Sequence, residues 1–238
     1  MAHGSVSELH RWPVKSLRGE PISAARFDAR GMAGDRAYAL LDERPTRSGN
    51  VLTVRQNPEM LSWAASYGDI ADPAEPPTLH APDGTKWSWQ DPELADVLAD
   101  SLDVPLRLHA ADGQQDRGPT VLVTFEASRV GLGEELGADV DIRRFRTNLH
   151  VTADEPAFVE EDWEPGTVLT AGEVELTVTG EHSGPCIRCA VPSWDATGRQ
   201  RWRDLQTHLI RRHDNKFGVI MRVTRPGTVR RGEATSVA

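Results

Sequence analysis

Short alternating apolar runs, broken at regular intervals by turn residues, constrain this chain more than any other feature. Val6–Trp12, Arg36–Asp42, Val51–Arg55, Trp63–Tyr67 and Lys86–Trp89 are such runs, each four to seven residues long. A two-residue apolar period puts one side-chain row against a core and the other toward water, which predicts strands. The Gly, Pro and Asp residues between them predict a barrel or sandwich rather than βαβ repeats. Arg146–Thr152, Glu173–Thr179 and Gly218–Val223 continue the pattern. Pro226-Gly227 marks a turn and Arg231-Gly232-Glu233 opens a last short strand. The segment Asp69–Pro77, rich in Pro, Asp and Ala, reads as an exposed loop.

Three helices are predicted. Asp91-Pro92-Glu93 leads into Leu94–Leu102, with Asp91 as N-cap and Pro92 in the first turn. Phe125–Leu136 is a second, weakened by Gly131 and Gly133. The third, Trp202–His213, carries Trp202, Leu205, Leu209 and Ile210 on one stripe suited to covering a sheet. The fold class is therefore α+β, mostly β.

At 238 residues the chain has room for one large or two small domains. A formal net charge of −9 argues against nucleic-acid binding, which needs a basic footprint. No 18-residue apolar run predicts a membrane span, and the first residues lack an apolar signal core, so a cytoplasmic location is expected. Two cysteines make neither a disulfide framework nor the usual four-ligand iron–sulfur site.

Those cysteines sit together in Gly184-Pro185-Cys186-Ile187-Arg188-Cys189, with Gly198 nine residues on. A thiolate beside a fixed cation is ready to ligate a soft metal or act as a nucleophile. Zinc is an alternative, from His182, Cys186 and Cys189 with His150 or His213 as fourth ligand. A thioredoxin-like motif fits poorly, because Ala190-Val191-Pro192 follows instead of a helix. Three further clusters carry chemistry. In Trp12-Pro13-Val14-Lys15-Ser16 a lysine adjoins a hydroxyl, a pairing that can hold a phosphate oxygen or simply be solvated. In Gly31-Met32-Ala33-Gly34-Asp35-Arg36, the last two residues form either a structural ion pair or a ligand clamp, and Leu52-Thr53-Val54-Arg55-Gln56 repeats an arginine at a strand end. In Arg143-Arg144-Phe145-Arg146-Thr147-Asn148, three arginines repel one another unless an anion or nearby Asp139 and Asp141 gather them.

Taken in order, these segments resemble the MOSC family with its companion N-terminal β-barrel domain. The matching pieces are Pro13-Val14-Lys15-Ser16 with Gly19, Gly31 to Arg36 with Asp42, Thr53-Val54-Arg55-Gln56 with Pro58, and Arg144-Phe145-Arg146-Thr147-Asn148. Phe158 to Trp163, Arg188-Cys189 with Gly198, and Phe217-Gly218 with Pro226-Gly227 complete the series. The resemblance implies a β-barrel-like domain at residues 1–110 packed on a MOSC β-barrel at residues 111–238, with a few covering helices and a site between them.

The same resemblance, to the amidoxime-reducing enzymes, implies a molybdenum cofactor (molybdopterin) with Cys189 as metal ligand and catalytic position. Arg188 would orient the pterin or its phosphate, and Lys15, Ser16, Arg36, Arg146 and Asn148 match cofactor-contacting positions. Thr53 and Arg55 are plausible additions. The implied reaction is two-electron reduction of a small N-hydroxylated substrate, with electrons from a separate ferredoxin-, flavin- or haem-type protein, because this sequence holds no appended ferredoxin domain. A cofactor or sulfur carrier using Cys189 is the alternative. Thr147 departs from the proline expected there.

Overall fold

The computed structural model describes residues 2–115, 118–195 and 198–238. Seven strands close into a barrel. Val121–Phe125 pairs in parallel with Leu149–Ala153, which pairs antiparallel with the long first strand Ala2–Arg11. The ring continues through Ala234–Val237, Val168–Ala171, Val174–Thr177 and Lys216–Arg225, which returns to Val121–Phe125. Outside the ring, Glu20–Ile22 extends the end of the first strand and Gly184–Ile187 pairs with Lys216–Arg225. Closure leaves the barrel strands themselves without a free edge.

Strand pairing does not follow sequence order. The first strand is a stave of a barrel otherwise built from residues 121–237, and Ala24–Asp28 pairs with Gly227–Arg230. Val6, Leu9, Ile22 and Phe27 accordingly share a core with Phe125, Val151, Leu176 and Met221. A second core holds Val14, Leu17, Leu40, Leu52, Trp63 and Leu79. It lies among two three-stranded sheets, one of Tyr38–Asp42 with Asn50–Val51 and Leu106–Ala110, the other of Ala64–Ser66, Thr78–His80 and Lys86–Ser88.

Helix α1 (Leu94–Leu102) turns Leu94, Leu98 and Leu102, four apart, into that second core. It begins two residues later than predicted: Asp91 closes a turn by accepting from the Leu94 and Glu93 N–H groups, so Glu93 takes the cap position. Helices α2 (Glu126–Leu136) and α3 (Arg203–Arg212) cover the barrel through a third cluster, where Leu132, Leu205 and Leu209 meet the stacked rings of Phe145 and Phe217. Ile210 departs from its predicted stripe and is 56% exposed. Among the described residues no helix is long and apolar enough to cross a membrane.

Two predicted strands are cut short for the same reason, a change to left-handed or turn backbone, one at its end and the other at its start. Pairing stops at Val51, and Thr53 O accepts from both Gln56 and Asn57 N–H, so Thr53–Gln56 is a turn. Arg146 ends a short 3-10 turn at φ 57°, and the strand starts only at Leu149.

Candidate functional site

A cleft of about 570 Å³ lies where the two cores meet. One wall comes from Lys15, Ser16 and Arg36 with the turn Thr53–Gln56; the other from Phe145, Arg146 and the cysteine strand. Of the nine residues expected at a site, eight line it: Lys15, Ser16, Arg36, Thr53, Arg55, Arg146, Arg188 and Cys189. Asn148 does not. It is fully buried behind the wall, where its Oδ1 accepts from Leu122 N–H at 3.1 Å and lies 3.4 Å from Arg36, and its Nδ2 donates to His10 O at 3.3 Å. Its role is to brace Arg36 between the two halves.

Backbone strain concentrates here. Ser16, Arg36 and Arg146 have φ of 72°, 51° and 57°. Each left-handed non-glycine costs about 1–3 kcal/mol and persists only where surrounding contacts impose it. Those contacts are visible. Asp35 is buried, accepts from Trp12 N–H at 2.9 Å and pairs with the Arg36 guanidinium, which also donates to Arg146 O at 3.1 Å. Arg146 donates to Leu17 O at 2.7 Å and lies 4.4 Å over the Trp12 ring. The Asp35–Arg36 pair is thus a structural ion pair whose arginine lines the cleft.

The arginine-rich segment resolves its own repulsion by diverging. Arg143 turns out to Asp141 at 2.7 Å, Arg144 donates to Trp194 O at 2.8 Å, and Arg146 turns into the cleft. Asp139 pairs with Arg129 instead of this segment.

Cys186 lies in the outer strand Gly184–Ile187, and Cys189 follows its end. Arg188 is pinned by two backbone contacts with Asn215, its N–H donating to Asn215 O and its O accepting from Asn215 Nδ2, both at 2.7 Å. Its guanidinium donates to Cys186 Sγ at 3.1 Å and to Phe145 O at 2.7 Å, while the buried Nε has no acceptor among the described residues. Cys189 is half-buried on the cleft wall. Beyond it, Gly198 sits against the short helix Pro58–Ser62; a Cβ there would fall 1.9 Å from Pro58 O, so only glycine permits this docking.

Among the described residues, six cations line the cleft (Lys15, Arg36, Arg47, Arg55, Arg146 and Arg188) and no carboxylate does. In a chain of net charge −9, that asymmetry points to an anionic ligand. Arg47, not anticipated from the sequence, is oriented by Asp42, whose carboxyl is drawn down to about 2 mainly by Arg44. Arg55 is exposed at the mouth and donates to no described residue. Phe145, Val191 and Ile220 supply an apolar floor. Arg47 and these apolar residues carry no signal in one sequence, because only the fold brings them to the cysteines.

The zinc alternative at the cysteines is not supported. His150 is buried against Thr124 and Glu126, His213 against Glu135 and Glu161, and His182 is exposed.

The MOSC domain family model matches residues 107–236, and the model of the MOSC N-terminal beta barrel domain matches residues 3–116. The chain belongs to the MOSC family. This MOSC chain is 25% identical over 236 residues to human mitochondrial amidoxime-reducing component 1, a match covering 81% of this chain and 66% of that protein, just under two thirds of its length. Its fold is similar to that of the YUAD protein from Bacillus subtilis, with a TM-score of 0.53 over 100% of this chain and 98% of that one, at 14% identity.

The donor set fits a molybdenum cofactor. A half-buried thiol offers a soft ligand, the cationic wall suits a phosphate-bearing pterin, and the Arg188 Nε has no acceptor among the described residues.

Proposed function

We propose that this protein is a molybdenum-cofactor-dependent reductase of small N-hydroxylated compounds, cytoplasmic and supplied with electrons by a separate redox protein. The reading rests on one observation: Cys189 lies on the wall of a cleft lined, among the described residues, by six cations, in a chain that matches both MOSC family models. Cys189 would ligate the metal. The bound cofactor would supply the two-electron exchange that breaks the N–O bond.

This chain's own residues do the holding. Arg55 and Arg47 reach the mouth, where a phosphate is best recruited, and Arg36 and Arg146 form a fixed, preorganised donor pair deeper in. Ser16, held left-handed, points one more hydroxyl-bearing residue at the same cleft. Phe145 and Ile220 exclude water from one side, which strengthens every charge interaction inside. The cleft is open enough for a small substrate to approach Cys189.

The test is elemental analysis of protein from a host competent in molybdopterin synthesis, wild type beside Cys189→Ala, followed by hydroxylamine reduction with an artificial donor. Near-stoichiometric molybdenum lost in the variant, with turnover in the wild type, is expected. Molybdenum bound without turnover would point to a cofactor carrier instead.

A further inference from the structure

We propose that Glu135, His208 and His213 form a divalent-cation site of the zinc class, separate from the cysteine cleft, that clamps α3 to α2. Glu135 is the penultimate residue of α2, His208 lies within α3, and His213 caps its C-terminus. Glu135 Oε2 is 2.6 Å from His208 Nε2 and 2.8 Å from His213 Nε2, and the three atoms all lie within 4.8 Å of one another. Two imidazoles and one carboxylate are a zinc donor set, leaving a fourth position for water. Metal–ligand bonds of about 2.0–2.2 Å in a tetrahedron require donors about 3.3 Å apart, so the Glu135–His208 and Glu135–His213 separations would lengthen by roughly half an ångström or slightly more to admit an ion.

A second observation points the same way. His213 is 7% exposed, its ring packs 4.1 Å from that of Phe158, and its other nitrogen, Nδ1, lies 3.0 Å from Glu161 Oε1. A neutral imidazole carries one N–H and one lone pair. With carboxylate oxygens against both nitrogens, either tautomer would press a lone pair onto an anion. A cation at Nε2 removes the conflict: Nδ1–H then donates to Glu161, the carboxylate–histidine–metal arrangement that fixes a ligand's tautomer. His208 brings a second imidazole nitrogen to the same Glu135 oxygen, which gives the cation its third ligand.

The site has a route to the cleft. His213 lies two residues before Asn215, whose backbone and side chain bracket Arg188. A cation at His213 would therefore stiffen the turn that carries the cysteine strand.

The experiment strips the full-length protein with a chelator and titrates Zn²⁺ by dialysis and elemental analysis. Wild type and the Cys186→Ser/Cys189→Ser variant are each expected to bind one equivalent. His208→Ala, a change on a helix surface whose folding circular dichroism would verify, should weaken binding at least tenfold, and Glu161→Gln by about 10–100-fold. No stoichiometric zinc in the wild type would overturn the proposal, as would zinc that leaves with the cysteines and stays undiminished in His208→Ala.

Discussion

Arg188 places its guanidinium on the sulfur of Cys186, 3.1 Å away, and not on that of its sequence neighbour Cys189. The two cysteines are therefore different in kind. Cys186 is buried and acts as an acceptor that helps fix Arg188 over the Phe145 ring, while Cys189 stays half-buried on the cleft wall. Cys186→Ala should leave a buried charged donor short of one acceptor and cost about 1–3 kcal/mol, read as a lower urea midpoint. Cys189→Ala should leave that midpoint nearly unchanged and abolish molybdenum retention. Equal loss of stability from both variants would contradict this division.

Two arginines on the same cleft should separate just as sharply. Removing Arg36 strands Asp35, which is wholly buried, so Arg36→Ala should cost about 3–5 kcal/mol. Arg55→Ala removes an exposed side chain that donates to no described residue, and stability should stay within about 0.5 kcal/mol. Its effect should appear in cofactor loading, with retention lower at low salt and less dependent on ionic strength than in the wild type, because a recruiting charge is gone. Urea denaturation and molybdenum content at two ionic strengths check both halves of the prediction.

The difference between these arginines was only partly legible in the sequence. Alternation located the first strand and Glu173–Thr179, because each exposes one face. It missed Val121–Phe125, where all five positions are buried: a strand covered on both faces loses its two-residue period. Nor could alternation show that the first strand completes a barrel made by the far end of the chain, since non-local pairing leaves no local mark. The motif residues converged because left-handed turns at Ser16, Arg36 and Arg146 all face one cleft. Asn148, equally suggestive as a motif member, points away because it follows the turn and takes the buried register of the strand. Arg and Asn look alike as ligand donors in a sequence; burial tells which one works from behind.

The docking of the segment after Cys189 onto Pro58–Ser62 depends on Gly198. Its φ is +72° and a Cβ would meet Pro58 O at 1.9 Å, an overlap with rigid backbone that no side-chain movement relieves. Gly198→Ala should therefore lift this segment off the helix and loosen the cysteine loop. The expected result is faster protease cleavage between residues 189 and 203, with the barrel core retaining its hydrogen-exchange protection. Gly166→Ala, at a positive φ but with nothing within 4 Å of its added Cβ, is the control for backbone strain alone.

Glu160 should give the protein a pH dependence opposite to that of its surface carboxylates. Burial pushes its carboxyl up to about 7, against the Ser128 hydroxyl that donates to Oε2 at 2.8 Å and the Gly218 N–H, with Glu161 adding repulsion. The unfolded chain releases this proton near 4.5, so between about 4.5 and 7 the folded state holds more protons than the unfolded one. Stability from this group is fully present below the lower value, falls as pH rises through the window, and is level above it. The loss is on the order of 3 kcal/mol. Glu126 works in the other sense: Arg129, then His150, draw it down to about 2 against burial, so its contribution is present above 4.5 and lost as pH falls toward 2. Glu160→Gln should keep an acceptor for Ser128 while removing the titration. Its urea midpoint should overtake that of the wild type as pH rises from 5 to 8, and parallel midpoint profiles for the two proteins would show that Glu160 does not titrate in this range.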